Sequence, residues 1–293
     1  MNVNLLIENL TNPALLFFVL GIIAVYLKSD LEIPENSSKF ISLYLLFAIG
    51  FKGGQELSHE TFSTEIIWSL LFGIGISATI PIYTFFILKR KLNLFDSVAI
   101  AAAYGSVSAV TFVTAASYLE SHQLELHGNM VAIMALMESP AIIMAVLLAN
   151  MLRHESNNAA TSKVPSLKNI LHESFTDGAQ LLLLGSMVVG LVSGEAGQKL
   201  MAPFSIDLFK GMLAFFLLDM GLMAARNIQG LQGKPPITLL YAIASPLSHA
   251  LIALALCKLI GLPLGNTILL MVLASSASYI AVPAVLRDRK SVV

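Results

Sequence analysis

The chain has 293 residues, 56% of them hydrophobic and only 12% charged, with a formal net charge of −1. Soluble domains carry about 25% charged residues, so this balance points to a membrane protein. It offers no basic footprint for nucleic acid, and Cys257, the one cysteine, leaves neither an internal disulfide nor a thiol-based metal spacing.

In chain order, nine stretches have the apolarity of a membrane-crossing helix, which needs about 17–25 residues. The first is Asn12–Lys28. Its apolar run, Pro13–Leu27, follows Glu8 rather than Lys or Arg and lacks an A-x-A site after it, so it reads as a retained span. The second is Lys39–Leu57, the third Glu65–Leu88, the fourth Leu94–Leu119 and the fifth Gly128–Met151. A polar stretch, Arg153–Glu173, breaks the series. The sixth to ninth spans are Asp177–Ser193, Ile206–Ile228, Pro236–Ile260 and Gly265–Leu286. The expected fold class is an all-α integral membrane protein.

Lys and Arg mark the cytoplasmic loops. Lys89, Arg90 and Lys91 follow the third span, and Lys28, Lys39, Arg153, Lys163, Lys168, Arg226 and Lys234 fall on the same side. The N-terminus is then outside. Lys52 is the exception. It neighbours Glu56 four residues on, and the pair is expected to snorkel at an interface.

The chain repeats itself. Leu46-Phe-Ala-Ile-Gly50 aligns with Leu217-Leu-Asp-Met-Gly221, and Ala103-Tyr-Gly-Ser106 with Ala274-Ser-Ser-Ala277, both at an offset of 171 (221 − 50 and 274 − 103). Thr11-Asn-Pro-Ala14 matches Thr176-Asp-Gly-Ala179 at an offset of 165. Five spans per half is odd, so the second half enters from the opposite side, as an inverted repeat. Residues 12–151 form the first repeat, 152–175 a cytoplasmic linker and 176–287 the second repeat. That second repeat lacks a counterpart to the fifth span. The closing Asp288-Arg-Lys-Ser-Val-Val293 is what a common sequencing adapter encodes in frame up to a stop codon. Residues 288–293 are therefore expected to be a non-native tail and a tenth span to be missing; a genuine basic cytoplasmic tail is the alternative.

The fourth and ninth spans are the centre of interest. Ala101–Ala116 is a helix pattern interrupted by Gly105 and the hydroxyls of Ser106, Ser108, Thr111 and Thr114; Leu273–Ala284 carries Ser275, Ser276, Ser278, Tyr279 and Pro283. Helices broken at matched positions of two halves mark a transporter's binding site. Their amide ends form an anion site without Lys or Arg. The candidate anion ligands are Gly105, Ser106, Ser108, Ser275, Ser276 and Ser278. Glycine lets backbone approach a ligand closely, and hydroxyls donate to an anion or accept a cation. Opposite helix ends and unwound carbonyls suit Na⁺. Its candidate ligands are Ser108, Thr111, Glu138, Ser278 and Tyr279. Glu138 lies in Met137-Glu-Ser-Pro140, where Pro140 frees a carbonyl near Leu136. A carboxylate at that depth is functional by default, though it can equally fix the fifth span against the fourth. Asp219, mid-span, lines the path or pairs with Arg226. His249 reads as an interhelical hydrogen-bonder. Small and hydroxylic residues also serve as ordinary helix-packing glue.

With these residues in view, the chain resembles the sodium-dependent bicarbonate transporter family (cyanobacterial SbtA-like). The likeness runs from Asn12 to about Leu286. Its specific pieces are Phe47-Ala-Ile-Gly-Phe-Lys-Gly-Gly54, Ala102-Ala-Tyr-Gly-Ser-Val-Ser-Ala-Val-Thr-Phe-Val-Thr114, Met137-Glu-Ser-Pro140 and Ser276-Ala-Ser-Tyr-Ile-Ala-Val-Pro283. The resemblance implies Na⁺/HCO₃⁻ symport across the plasma membrane (the bacterial inner membrane), a ten-helix inverted repeat, a homotrimer, elevator-like movement and a PII-like cytoplasmic partner. Arg153–Glu173 looks shorter than the family's usual cytoplasmic region, which bears on that docking. Bicarbonate is small and singly charged, so two helix ends and a few hydroxyls can hold it.

The expectation is therefore a secondary active transporter rather than an enzyme, with Na⁺ as coupling ion and no organic cofactor. No G-x-x-x-x-G-K-[ST] motif suggests an ATPase. The third, fourth, fifth, eighth and ninth spans form the expected mobile core, and the first, second, sixth and seventh the scaffold. A Na⁺/H⁺ antiporter of related architecture, and a channel or non-transporting membrane sensor, are the alternatives.

Overall fold

The computed structural model describes residues 11–59, 63–124, 127–155, 178–231, 233 and 235–278. Most of the expected linker, Tyr279, the end of the ninth span and the tail lie outside the described residues. No strand occurs among those described.

Capping chemistry sets the helix starts. Helix α1 (Pro13–Tyr26) begins where Asn12 Oδ1 accepts the Ala14 N–H at 3.0 Å and proline occupies the first turn. Helix α2 runs Glu35–His59. Helix α3 (Thr64–Leu88) is capped by Ser63 and carries Pro81 inside. Helix α4 (Leu94–Gly105) is capped by Asn93, whose Oδ1 accepts the Asp96 N–H at 2.8 Å. Helix α5 (Ala109–Ser121) starts at the Ser108 cap, and α6 spans Asn129–Glu155. Helix α7 is Gly178–Ala202, followed by a π-helical turn at Pro203–Asp207 and by α8, Phe209–Asn227. Helix α9 (Pro236–Ile260) stops at Gly261, which takes the left-handed conformation at φ 78°. Helix α10 is Leu264–Ser275.

Most expected spans fall within a few residues of these helices, and Pro236–Ile260 coincides with α9. Two differ. Helix α1, at 14 residues, reaches only about 21 Å, short of the roughly 30 Å hydrocarbon core. The sixth span does not end at Ser193. The helix bends at Gly194 (φ 53°, ψ −150°) and runs on to Ala202. Few residues but glycine adopt that backbone conformation, so the apolar pattern ends where the bend begins.

Thr64–Leu88, Gly178–Asn227 and Pro236–Ile260 are long and apolar enough to cross a membrane. Their polarity is arranged for lipid. On α9, Leu240, Ile243, Leu247 and Leu251 are all more than 60% exposed, while Tyr241, Ser245 and His249 are buried. In water that arrangement would waste the hydrophobic effect; in hydrocarbon it shields the polar groups.

The helices pack in two groups. In one, α1 packs on α8 and α2 on α7, with a further contact between α2 and α8. Glycines make these crossings close. A Cβ on Gly221 would lie 2.1 Å from the Phe18 carbonyl oxygen, and one on Gly190 would lie 2.1 Å from that of Phe51. With no hydrophobic drive between helices in lipid, such backbone approach supplies the packing energy. In the other group, α3 packs on α6 and α4, α4 on α6, α9 on α10 and α10 on α5. The groups meet mainly where α2 touches α5 and α6, and where Gln180 of α7 donates to the Ala135 carbonyl of α6 at 2.6 Å.

A candidate binding site where two helices stop

Helix α4 stops at Gly105. Ser106 is extended (φ −83°, ψ 145°) and returns its N–H to the Ala102 carbonyl at 3.1 Å. Ser108 is extended too (φ −94°, ψ 108°), and its Oγ accepts the Thr111 N–H at 3.2 Å to open α5. Helix α10 stops at Ser275, followed by extended Ser276 (φ −77°, ψ 162°). Serine and glycine explain the stops locally, since serine side chains compete for backbone partners and glycine gains little from helix.

The two stops meet. The Ser108 N–H donates to Ser276 Oγ at 3.0 Å, and the Ser278 N–H donates to the Ala103 carbonyl at 2.9 Å. Ser276 Oγ donates in turn to Leu273, and Ser275 Oγ to Val272, at 3.0 and 3.2 Å. Gly105, Ser106, Ser276 and Ser278 are buried, Ser108 and Ser275 are half-buried, and Thr111 and Ala277 are exposed. The serines of the crossing are therefore largely covered, while Thr111 and Ala277 beside them are exposed. Ser106 Oγ is fully buried and finds no hydrogen-bond partner, the state of a hydroxyl that a small polar solute or water completes.

Of the expected site residues, the structure brings Gly105, Ser106, Ser108, Thr111, Ser275, Ser276 and Ser278 to this one crossing. Gly105 makes a close approach, but to protein: a Cβ there would lie 2.2 Å from Pro81 Cγ and 3.3 Å from Ala141 Cβ. Glu138 is half-buried on α6, one turn before the Ala141 that lies against Gly105. Tyr279 lies outside the described residues. Asp219 belongs to the other helix group. Its carboxylate accepts a hydrogen bond from Ser38 Oγ of α2, and Arg226 donates instead to the Leu31 carbonyl at 3.2 Å. Lys52 does not pair with Glu56; it reaches Glu120 at 2.5 Å.

One neighbouring cluster was not legible as such. His249 stands edge-on to Tyr83 (5.6 Å) and Tyr104 (6.2 Å), Tyr104 edge-on to Tyr241 (5.4 Å), and Thr84 shares a 2.6 Å hydrogen bond with Tyr241. His249 is buried, and its Nδ1 finds no hydrogen-bond partner, so the interhelical hydrogen bond expected of it does not form at that atom. The signal available was Tyr104, directly before Gly105, and a proline three residues before His249 as before Thr84. These groups brace the crossing from behind.

The arrangement has two electrical poles. The first-turn amides of α5 carry partial positive charge, and the last-turn carbonyls of α4 and α10 partial negative charge. An anion fits the former and a hard cation the latter. The polar groups at the crossing are all oxygens and amides, and no cluster of three or more His, Cys, Asp or Glu occurs among the described residues. That donor set fits a hard cation such as Na⁺.

An all-helical membrane protein with a polar crossing inside an apolar shell has the form of a solute carrier. The chain belongs to the Na⁺-dependent bicarbonate transporter superfamily, whose sequence profile matches residues 13–289. Comparison with curated proteins returns no match.

Proposed function

We propose that this protein is a secondary active transporter that carries HCO₃⁻ into the cell together with Na⁺. The anion lies at the crossing of the α4–α5 and α10 interruptions, against the α5 first-turn amides and the hydroxyls of Ser106, Ser108, Ser275, Ser276 and Ser278, with Gly105 shaping the turn. Na⁺ lies beside it, among Ser108, Thr111, Ser278, Tyr279, the last-turn carbonyls and Glu138. Bound Na⁺ lowers the electrostatic cost of holding the anion, which couples the two solutes. The reading is carried by the paired hydrogen bonds Ser108–Ser276 and Ala103–Ser278, which join the helix stops at Gly105 and Ser275, far apart in sequence.

The helix pairings support an inverted repeat. If the first span corresponds to the sixth and the second to the seventh, the contact α1–α8 maps onto α7–α2, and both pairs are in contact. Residues 12–151 and 176–287 are then the two halves. The group α3–α6, α9 and α10 is the mobile core; α1, α2, α7 and α8 form the scaffold, with Asp219 inside it. The sparse contacts between the groups suit an elevator-like displacement. The distribution of Lys and Arg supports an external N-terminus in a bacterial inner membrane, and the family likeness supports a homotrimer and a PII-like partner.

Uptake of radiolabelled bicarbonate into vesicles, with and without an inward Na⁺ gradient, tests the proposal. Saturable uptake that requires Na⁺ is expected. Na⁺-independent uptake removes the coupling, and proton efflux on Na⁺ addition without bicarbonate uptake replaces symport by antiport.

A further inference from the structure

We infer that Lys52 and Glu120 form a latch between scaffold and core that opens in each transport cycle. The inference rests on the two-group reading above and deepens it by naming residues that govern the movement. Lys52 sits on α2, in the run Phe47-Ala-Ile-Gly-Phe-Lys-Gly-Gly54, and Glu120 sits near the end of α5. Their charged atoms are 2.5 Å apart, the one ion pair among the described residues.

The surroundings show that this level is where the groups are held in register. Gly53 faces Val131 of α6, where a Cβ would lie 2.5 Å from the valine side chain. Gly128, just before α6, faces the Gly53 carbonyl oxygen, which a Cβ would approach to 2.2 Å. Two glycines thus let α2 and the start of α6 touch beside the ion pair. A slide of one helical turn, about 5.4 Å, would carry Nζ and Oε1 out of contact and dismantle the glycine packing together.

The exposure of the pair suits a contact that forms and breaks. The side chains are 27% and 31% exposed. A fully buried pair would strand two charges in low dielectric on opening. A fully exposed one would hold nothing. Partial exposure lets both charges rehydrate when the pair opens. It also accounts for a lysine that the loop-charge pattern leaves on the wrong side: its charge is matched by Glu120 on the neighbouring group.

The test uses full-length protein with Cys257→Ala, which removes the single, buried cysteine, and Lys52→Cys with Glu120→Cys. A short bifunctional thiol reagent should link the two positions in high yield. The link should abolish Na⁺-dependent bicarbonate uptake, and cleaving it should restore uptake. Separately, Lys52→Glu and Glu120→Lys should each lower uptake about tenfold, and the two together should recover to within about threefold of the parent. Unchanged uptake with the link in place overturns the latch and leaves the transport reading standing. Failure of the double reversal to recover beyond either single variant also overturns it. Absence of Na⁺-dependent uptake in the unlinked Cys257→Ala parent overturns the transport reading, and the latch with it.

Discussion

Ser276→Ala strikes the crossing with the least collateral change. Ser276 Oγ accepts the Ser108 N–H at 3.0 Å and donates to the Leu273 carbonyl at 3.0 Å. Removing the hydroxyl leaves Leu273 with its remaining partner, the Ser276 N–H at 3.4 Å. The Ser108 N–H loses its partner at the first turn of α5. Ser108 is half-buried, so the loss sits at the low end of the about 1–3 kcal/mol that an unpaired buried donor costs, about fivefold in an equilibrium constant. The loss falls on the arrangement that sets the two stops against each other, so it should appear as weaker bicarbonate handling. The expected result is about a fivefold fall in Na⁺-dependent uptake at limiting bicarbonate, with Ser276→Thr, which keeps the hydroxyl, losing less. The assay is radiolabelled uptake in vesicles at matched expression, beside a melting curve in detergent. Uptake by Ser276→Ala within twofold of the parent across the whole bicarbonate range would refute the reasoning.

Further outcomes follow from packing and backbone geometry. Gly221→Ala should lower the melting temperature sharply, because a Cβ 2.1 Å from the Phe18 carbonyl oxygen must push α1 off α8; overpacking costs about 1–3 kcal/mol or more. Gly194→Ala should destabilise by about 1–3 kcal/mol for another reason: nothing blocks its Cβ, but φ 53° with ψ −150° does. Gly105→Ala should reduce thermal stability and uptake together, since its Cβ would meet Pro81 Cγ at 2.2 Å and shift the end of α4. Ser38→Ala and Asp219→Asn should be coupled in a double-mutant cycle by about 1.5–3 kcal/mol, the worth of a hydrogen bond to a charged group, because Ser38 donates to the Asp219 carboxylate. Additive effects on melting would contradict that pairing.

The contrast between Gly105 and Ser106 bears on how the crossing works. Adjacent in sequence, they face different tasks: Gly105 admits Pro81 of α3, while Ser106 holds a buried, unpartnered hydroxyl. The glycine fixes where α4 ends, and the serine supplies the polar group left over when it does. His249 and its tyrosines adjoin this turn through Tyr104, which stands edge-on to both His249 and Tyr241.

What the chain alone determined is local. The caps at Asn12, Ser63, Asn93 and Ser108 are local too, since a cap acts over three or four residues. The apolar runs placed α3 and α9 within a residue at each end, because hydrocarbon demands them whatever they pack against. The serine and glycine clusters mark the stop of α4 at Gly105 and the end of α10 at Ser275 for the same reason. What the tertiary structure decided is which residues meet across helices. Lys52 had a carboxylate four residues away in Glu56, yet it reaches Glu120 on another helix. Asp219 had Arg226 two turns on, yet its partner is Ser38. Gly105 could have opened onto a solute and instead admits Pro81. Such partners depend on the relative depth and rotation of packed helices. In lipid those are set by close backbone contact at glycines such as Gly190 and Gly221, and no periodicity within a single span encodes them.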